Sequence, residues 1–292
     1  MKTNKIAQLA LFCVLTLLCV SVVYPLLLVL GTSLSNIKDV SKYGYSVIPK
    51  NFDLSAYKFV FENPGAILQA YKITALFSIA SMVLSVLLMS MIAYPLSRMN
   101  FRYGKALSFY LFFTMLFNGG LVPTYILMTQ YLHLDDNILV YILPGLISPW
   151  YVFMIRTFFQ GIPQEIIESA QIDGASEYRI FSTMILPLSK PVLATVALMV
   201  FLGKWNDWYT AMLYINDDSL VSLQYFLQKI LTNIDIIRQQ MAAGNSVENM
   251  GEIPSETVRM AMAIVVAGPA LFVFPFFQKY FVKGITVGSV KG

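Results

Sequence analysis

Long apolar runs are the feature that most limits what this chain can fold into. Six of them, at about Ile6 to Leu30, Ile73 to Leu96, Leu107 to Met128, Ile138 to Phe159, Val192 to Leu213 and Met260 to Phe281, approach or exceed the roughly 20 residues needed to cross a hydrocarbon core of about 30 Å. Apolar residues make up 57% of the chain and charged residues only 12%, whereas soluble domains carry about a quarter charged. The expected class is an all-α integral membrane protein with six transmembrane helices. The third run is interrupted by Asn118, Gly119, Gly120 and Pro123, and the fifth carries a polar cluster.

An even number of crossings places both termini on one side, and the side follows from the Lys and Arg excess of short cytoplasmic loops. With the termini inside, the inner set is Lys2, Lys5, Arg98, Arg102, Lys105, Arg156, Arg179, Lys190, Lys279, Lys283 and Lys291, against Glu165, Glu168, Asp173 and Glu177. The outer loops hold 8 basic residues against 11 acids, with Lys204 and Asp207 cancelling inside the fifth run. Cytoplasmic termini are favoured, and the net charge of +4 needs no nucleic-acid partner to explain it. The first run is longer than the apolar stretch of an export signal and is read as a retained helix. Cys13 and Cys19 both fall inside it, on different helical faces.

Two longer outer segments are expected. The first, about Thr32 to Lys72, is polar and aromatic and punctuated by Pro49 and Pro64, which suits a folded cap. The second, about Ile215 to Thr257, begins with Leu220, Leu223, Leu227, Ile230, Leu231 and Ile234, the spacing of a helix with one apolar face.

The inner loop Gln160 to Lys190 is neither short nor uniformly polar. Pro163 suits a helix start, and Glu165 and Glu168 lie near its positive end. Gly174 tolerates the left-handed dihedrals of a corner. A second helical stretch from about Ser176, with Phe181, Met184 and Ile185 available to pack, is expected to stop at Leu186 and Pro187.

The residues "EIIESAQIDGASEYRIFSTMILPLSKP" resemble the signature loop of the permease subunits of binding-protein-dependent ABC importers. That pattern is Glu-Ala-Ala, three residues, Gly, nine residues, Ile, one residue, Leu-Pro. Glu168, Ala170, Gly174, Leu186 and Pro187 match, while Ser169 replaces the first Ala and Met184 the Ile. The segments "FNGGLVPTYIL", "PVLATVALMVFLGKWNDWY" and "PFFQKYFVKGITVGSVKG" extend the likeness to about Ala66 to Gly292, and to the carbohydrate branch with its maltose-type and lipoprotein-linked oligosaccharide permeases.

The resemblance implies a type I importer permease fold with a cytoplasmic coupling helix. It divides the chain into 1–65, the first helix and outer segment; 66–283, a core of five helices holding the coupling loop 160–190; and 284–292, a cytoplasmic tail. It further implies that Glu168, Ser169, Ala170, Asp173, Gly174, Ala175, Leu186 and Pro187 form the ATPase contact. In that arrangement Glu168 makes the ionic pair, Ala170 allows close approach and Gly174 forms the corner. The tail, with Gly284, Gly288 and Lys291, either reaches the ATPase or is a frayed end.

Polar groups inside a bilayer tend to face the bundle interior or a wet cavity. Lys204, Trp205, Asn206, Asp207, Trp208 and Tyr209 offer hydrogen bonds and flat apolar faces, the two kinds of surface that sugars meet. Lys204 and Asp207, three residues apart, are positioned to pair. Asn206, Asp207 and Trp208, with Asn118 and Gly119 of the broken third run, are the candidates for a translocation path. The alternatives are an interfacial aromatic belt with polar helix contacts at the first cluster, and close helix packing at the glycines of the second.

No Gly-rich phosphate loop followed by Lys and Ser or Thr is present. The sole His is His133, and no Cys or His cluster has metal-ligand spacing. Neither catalysis nor a bound cofactor or metal is expected of this chain. The resemblance assigns ATP and Mg to two separate ATP-binding subunits. It supplies a second, related permease subunit and an extracellular solute-binding protein as further partners, and a carbohydrate as substrate, in a bacterial cell membrane. The competing readings are a permease for another solute, an ion-driven carrier, which would need several buried mid-membrane carboxylates, and a membrane receptor or scaffold without transport, which leaves the Glu168 to Pro187 pattern unexplained.

Overall fold

The computed structural model describes residues 5–242 and 255–288. The described residues are overwhelmingly helical and contain no β-strand, only one isolated antiparallel bridge between Ser35 and Phe52. In chain order the helices are α1 (Lys5–Ser33), α2 (Ile37–Tyr43), α3 (Ser55–Val60), α4 (Pro64–Ser97), α5 (Gly104–Leu116), α6 (Leu121–Ile126), α7 (Leu139–Ile142), α8 (Pro149–Gln160), α9 (Gln164–Ile172), α10 (Glu177–Ile180), α11 (Leu186–Leu188), α12 (Lys190–Trp205), α13 (Tyr209–Tyr214), α14 (Leu223–Ala242) and α15 (Ser255–Gly288). Single wide π turns extend α6 over Leu127–Tyr131 and join α10 to α11 over Phe181–Ile185.

Three described stretches are long and apolar enough to cross a membrane: Gln8–Ser33, Pro64–Ser97 and Glu256–Gln278. Two bent pairs raise the number to five if each is one crossing. The first, Gly104–Leu116 with Leu121–Tyr131, turns by 111° at the Asn118–Gly120 interruption. The fourth apolar run divides into α7 and α8, because Pro144, Gly145 with φ +80° and Pro149 each oppose a continuous helix across the junction. The fifth run likewise ends its helix at Trp205 and resumes at Tyr209.

The chain forms two compact units, Met1–Ile67 with Leu227–Pro269, and Leu68–Phe226 with Ala270–Gly292. In the first, the segment after α1 folds back on the end of that helix. Gly31 makes this possible, since an added Cβ would sit 2.1 Å from the Val47 carbonyl oxygen. Side-chain bonds hold the return: Ser33 Oγ with Tyr57 OH at 2.9 Å, Asn36 Nδ2 to Asp53 Oδ2 at 2.8 Å and Asn51 Nδ2 to Asp39 Oδ2 at 2.8 Å. The apolar face expected of the segment 215–257 is present on α14, with Leu227 and Ile234 buried and Ile230 and Leu231 half-buried. Arg259 pairs with Asp235 at 3.3 Å.

The second unit is organised along α4, which runs through two apolar clusters. At one end Ile73 and Phe77 pack with Val140, Tyr141, Ala211, Tyr214 and Val221, and the Phe77 and Tyr141 rings stack at 4.3 Å. At the other end Met89, Ala93, Tyr94 and Leu96 pack with Val152, Ile155, Phe159, Ile167, Ala170, Ile180, Phe181, Ile185, Val192 and Val196. Ile73 and Tyr94 are separated by about 30 Å along the helix at about 1.5 Å per residue. One continuous helix therefore connects the two clusters of this unit.

Candidate functional site

The loop after α8 is built as two helices around a corner. Gly161 and Ile162 turn the chain through bonds to the Phe158 and Phe159 carbonyls, and Pro163, in extended geometry, precedes α9. Along α9 the apolar positions Ile167 and Ala170 face inward, while Glu165, Glu168, Ser169 and Gln171 face outward. Ser169 returns its hydroxyl to the Glu165 carbonyl at 2.7 Å, so the hydroxyl that replaces a methyl here is satisfied within the helix.

The corner is a Schellman closure. Asp173 caps α9, Gly174 follows with φ +77°, its N–H bonds to the Gln171 carbonyl at 3.0 Å, and the Ala175 N–H reaches the Ala170 carbonyl at 2.9 Å. That pair of bonds satisfies two carbonyls that a helix end otherwise leaves open, and it needs a left-handed residue at the position of Gly174. Ser176 then caps α10 by accepting from the Arg179 N–H. The second helix does not stop at Leu186 and Pro187 as expected. In the π turn the Leu186 N–H reaches back to the Phe181 carbonyl, and this widened spacing carries Pro187 within helical backbone to Leu188. The break comes at Ser189, where the axis bends by 78° into α12.

Glu168 stands exposed on the outward face of α9 and makes no hydrogen bond or ion pair among the described residues. Ala170, at 3% exposure, is packed among Ile167, Tyr94 and Phe181, so its small side chain allows α9 to lie close on this chain's own core. Two features lay beyond sequence reasoning. Ile172 projects from the end of α9 with 86% of its surface exposed, an apolar tip on a polar corner. Glu177, which the sequence places only among the inner-loop acids, accepts from Tyr94 OH at 2.5 Å and from Gln171 Nε2 at 2.8 Å, and lies 3.7 Å from Arg98 Nη2. The bond to Tyr94 gives no local signal, since that residue is 83 positions away.

The polar cluster of the fifth run is arranged differently from expectation. Lys204 does not pair with Asp207: its Nζ donates to the Tyr141 carbonyl and, at 3.1 Å, to the Pro144 carbonyl. Asp207 accepts from the Thr210 N–H at 3.0 Å and the Thr210 hydroxyl at 2.7 Å, holding the start of α13. Both charges are thus matched with helix ends, the cation at carbonyls and the anion at an N–H. Asn206 donates to the Leu202 carbonyl at 2.8 Å and accepts from Gln224 at 2.9 Å, while Trp208 is exposed with its ring edge-on to Tyr209.

At the other candidate cluster Asn118 accepts from the Gly120 N–H at 2.9 Å, and Gly120 has φ +87°. Gly119 and Gly120 are exposed, and an added Cβ on Gly120 would meet nothing within 4 Å. The glycines therefore shape a turn here and do not serve close packing within the chain. Tyr125 stacks on Tyr214 at 5.5 Å, which ties α6 to α13. No hydrogen bond among the described residues joins Asn118 or Gly119 to Asn206, Asp207 or Trp208.

Gly284 and Gly288 lie within the backbone of α15, which crosses residue 283 without a break in helix, and Lys291 falls outside the described residues. Among the described residues no group of His, Cys, Asp and Glu is placed to hold a metal ion.

The family model described as "Binding-protein-dependent transport system inner membrane component" matches residues 66–287. Protein LplC of Bacillus subtilis (strain 168) is 36% identical over 270 residues, covering 92% of this chain and 90% of LplC. The polygalacturonan/rhamnogalacturonan transport system permease protein YtcP of the same organism is 34% identical over 290 residues, covering 99% of both chains. A chain from the crystal structure of a bacterial ABC transporter involved in the import of the acidic polysaccharide alginate superimposes with a TM-score of 0.80 at 25% identity. That match covers 96% of this chain and 98% of the other.

Proposed function

Because the chain belongs to the family of binding-protein-dependent transport system inner membrane components, and is a sugar or oligosaccharide ABC transporter permease subunit, we propose a working arrangement for it. It crosses the membrane six times with both termini in the cytoplasm, the fourth crossing being made in two pieces by α7 and α8. Beside it stands a second, distinct permease subunit. Two ATP-binding subunits dock from the cytoplasm, where ATP and Mg are used, and an extracellular binding protein delivers the sugar. This chain supplies no catalytic group.

Coupling runs through α9 and its corner. The observation that carries this is the division of one short helix into two faces: Ile167 and Ala170 are locked into the core around α4, while Glu168 and Ile172 point out of the chain. Glu168, flanked by Ser169 and the Asp173–Gly174–Ala175 corner, engages a basic residue of the ATPase, and Ile172 enters an apolar recess. Leu186 and Pro187 belong to the helical turn that precedes the bend at Ser189 into α12. Gly284, Gly288 and Lys291 form a secondary contact with the ATPase. Closure of the two ATPases on ATP then tilts the helices between inward- and outward-open states, a two-state equilibrium biased by nucleotide and by the loaded binding protein.

The sugar passes along Asn118, Gly119, Asn206 and Trp208, with Asp207 positioning α13. An ion-driven carrier is disfavoured, since Asp207, the acid that sequence places within a span, is engaged with Thr210. A solute other than sugar is disfavoured by what the relatives are named for.

The docking reading is tested by cross-linking. In a chain whose Cys13 and Cys19 are replaced by Ser, Glu168→Cys should form a disulfide or short bifunctional cross-link with an ATPase subunit, and Lys58→Cys, in the outer segment, should not. Absence of a Glu168→Cys product from an assembled complex would overturn the assignment.

A further inference from the structure

The Glu177 carboxylate joins three elements that the permease reading treats separately. One oxygen accepts from Tyr94 OH at 2.5 Å, near the end of α4. The other accepts from Gln171 Nε2 at 2.8 Å, in the last turn of α9. Glu177 itself opens α10, on the far side of the Gly174 corner. Arg98, in the turn that follows α4, donates to Tyr94 OH, lies with its guanidinium carbon 4.5 Å from the Tyr94 ring centre, and stands 3.7 Å from Glu177.

These contacts differ in kind from the apolar packing beneath them. Ile167, Ala170, Ile180 and Phe181 hold α9 and α10 against α4 without fixing their angle, because apolar contact is non-directional. A carboxylate shared between a hydroxyl and an amide is directional, and charge makes its hydrogen bonds shorter and stronger than neutral ones. The contact is also able to open. The Glu177 side chain is 60% exposed. It borders a cavity of about 420 Å³ that is also lined by Leu87, Met91, Tyr178 and Leu186. The carboxylate can therefore swing away from Tyr94 without a core side chain having to move.

We infer that Glu177, Tyr94 and Arg98 form a polar latch that transmits the tilt of the coupling helix to α4, and that Glu177 and Arg98 are positioning residues for transport. The inference rests on the permease reading above and goes beyond it. It assigns the transmission step to one carboxylate and to α4, the helix that runs on to the outer cluster around Phe77 and Tyr141.

The test uses the full complex reconstituted in liposomes, with loaded binding protein outside and ATP inside, and reads sugar uptake and ATP hydrolysis together. Glu177→Gln, Arg98→Lys and Tyr94→Phe are compared with wild type. Tyr94→Phe keeps the ring that packs on Phe181, so it separates the hydroxyl from the fold. The latch predicts that ATP hydrolysed per sugar rises by about three- to tenfold in Glu177→Gln and in Tyr94→Phe, with Arg98→Lys partly spared because the cation remains. A ratio that stays at the wild-type value, whether uptake and hydrolysis are unchanged or fall in proportion, would overturn the latch. Wild-type complex that takes up no sugar with ATP would instead overturn the permease reading, and the latch with it.

Discussion

Lys204 and Asp207 lie three residues apart in an apolar run, and spacing alone points to an ion pair. The structure gives each a different partner, for a reason that spacing does not contain: α12 ends between them. Past the end of the helix the two side chains no longer share a face. The ammonium finds the carbonyls of Tyr141 and Pro144, and the carboxylate finds Thr210. Lys204→Met should then leave two part-buried carbonyls without their donor and destabilise the protein by about 1–3 kcal/mol, seen as a lower melting temperature in detergent. Unchanged stability with altered sugar affinity would instead place Lys204 in the path. A second residue-scale case is Asp136, in the turn before α7. The Asp217 and Asn216 N–H groups donate to its carboxylate and hold its pKa below the usual range. A carboxyl depressed in the folded state contributes stability that is present above its unfolded pKa and is lost as pH falls through the folded one. The amide protection factors of Asn216 and Asp217 should therefore be flat from about pH 8 to 5 and fall only below about pH 4. Loss of protection already near about pH 6 would contradict this.

At the scale of elements, the α9 corner was legible in sequence because everything that makes it is local. Pro163, Gly174 and Ser176 act on dihedrals and hydrogen bonds within a few positions of themselves, and the Schellman closure needs only the Ala170–Ala175 stretch. The resemblance set Ala170 in the ATPase contact, whereas the structure buries it in this chain's own core. Its small size is compatible with contact on either side, and only the packing of α9 on α4 decides between them. Ala170→Leu should lift α9 from that surface and cost about 1–3 kcal/mol by overpacking, lowering the melting temperature and loosening retention of the ATPase subunits during purification. Full stability would mean that Ala170 faces outward. The Pro187 stop failed for a related reason. The ring bars an ordinary helical turn, but a wide π turn accommodates it, and nothing local in the sequence separates the two outcomes.

For the whole molecule, hydropathy identified the apolar runs and little of how each one bends. α1, α4 and α15 are continuous, whereas the other runs are broken at Asn118–Gly120, at Pro144–Pro149 and at Asn206–Trp208. The breakers were visible residues, but a hydropathy run averages over them. The bonds of Glu177 to Tyr94 and of Lys204 to Tyr141 were beyond reach in principle, since each joins chain segments more than sixty residues apart. The account places energy input at the outward face of α9 and sugar passage elsewhere in the same chain. The measurement that tests this most directly is ATP-dependent uptake of labelled oligosaccharide into vesicles holding the complete complex, wild type against Glu168→Ala. The account predicts that wild type accumulates sugar only with ATP, and that Glu168→Ala, still assembled with its ATPase subunits, loses most of that uptake. Uptake that needs no ATPase, or that is unaffected by the substitution, would contradict it.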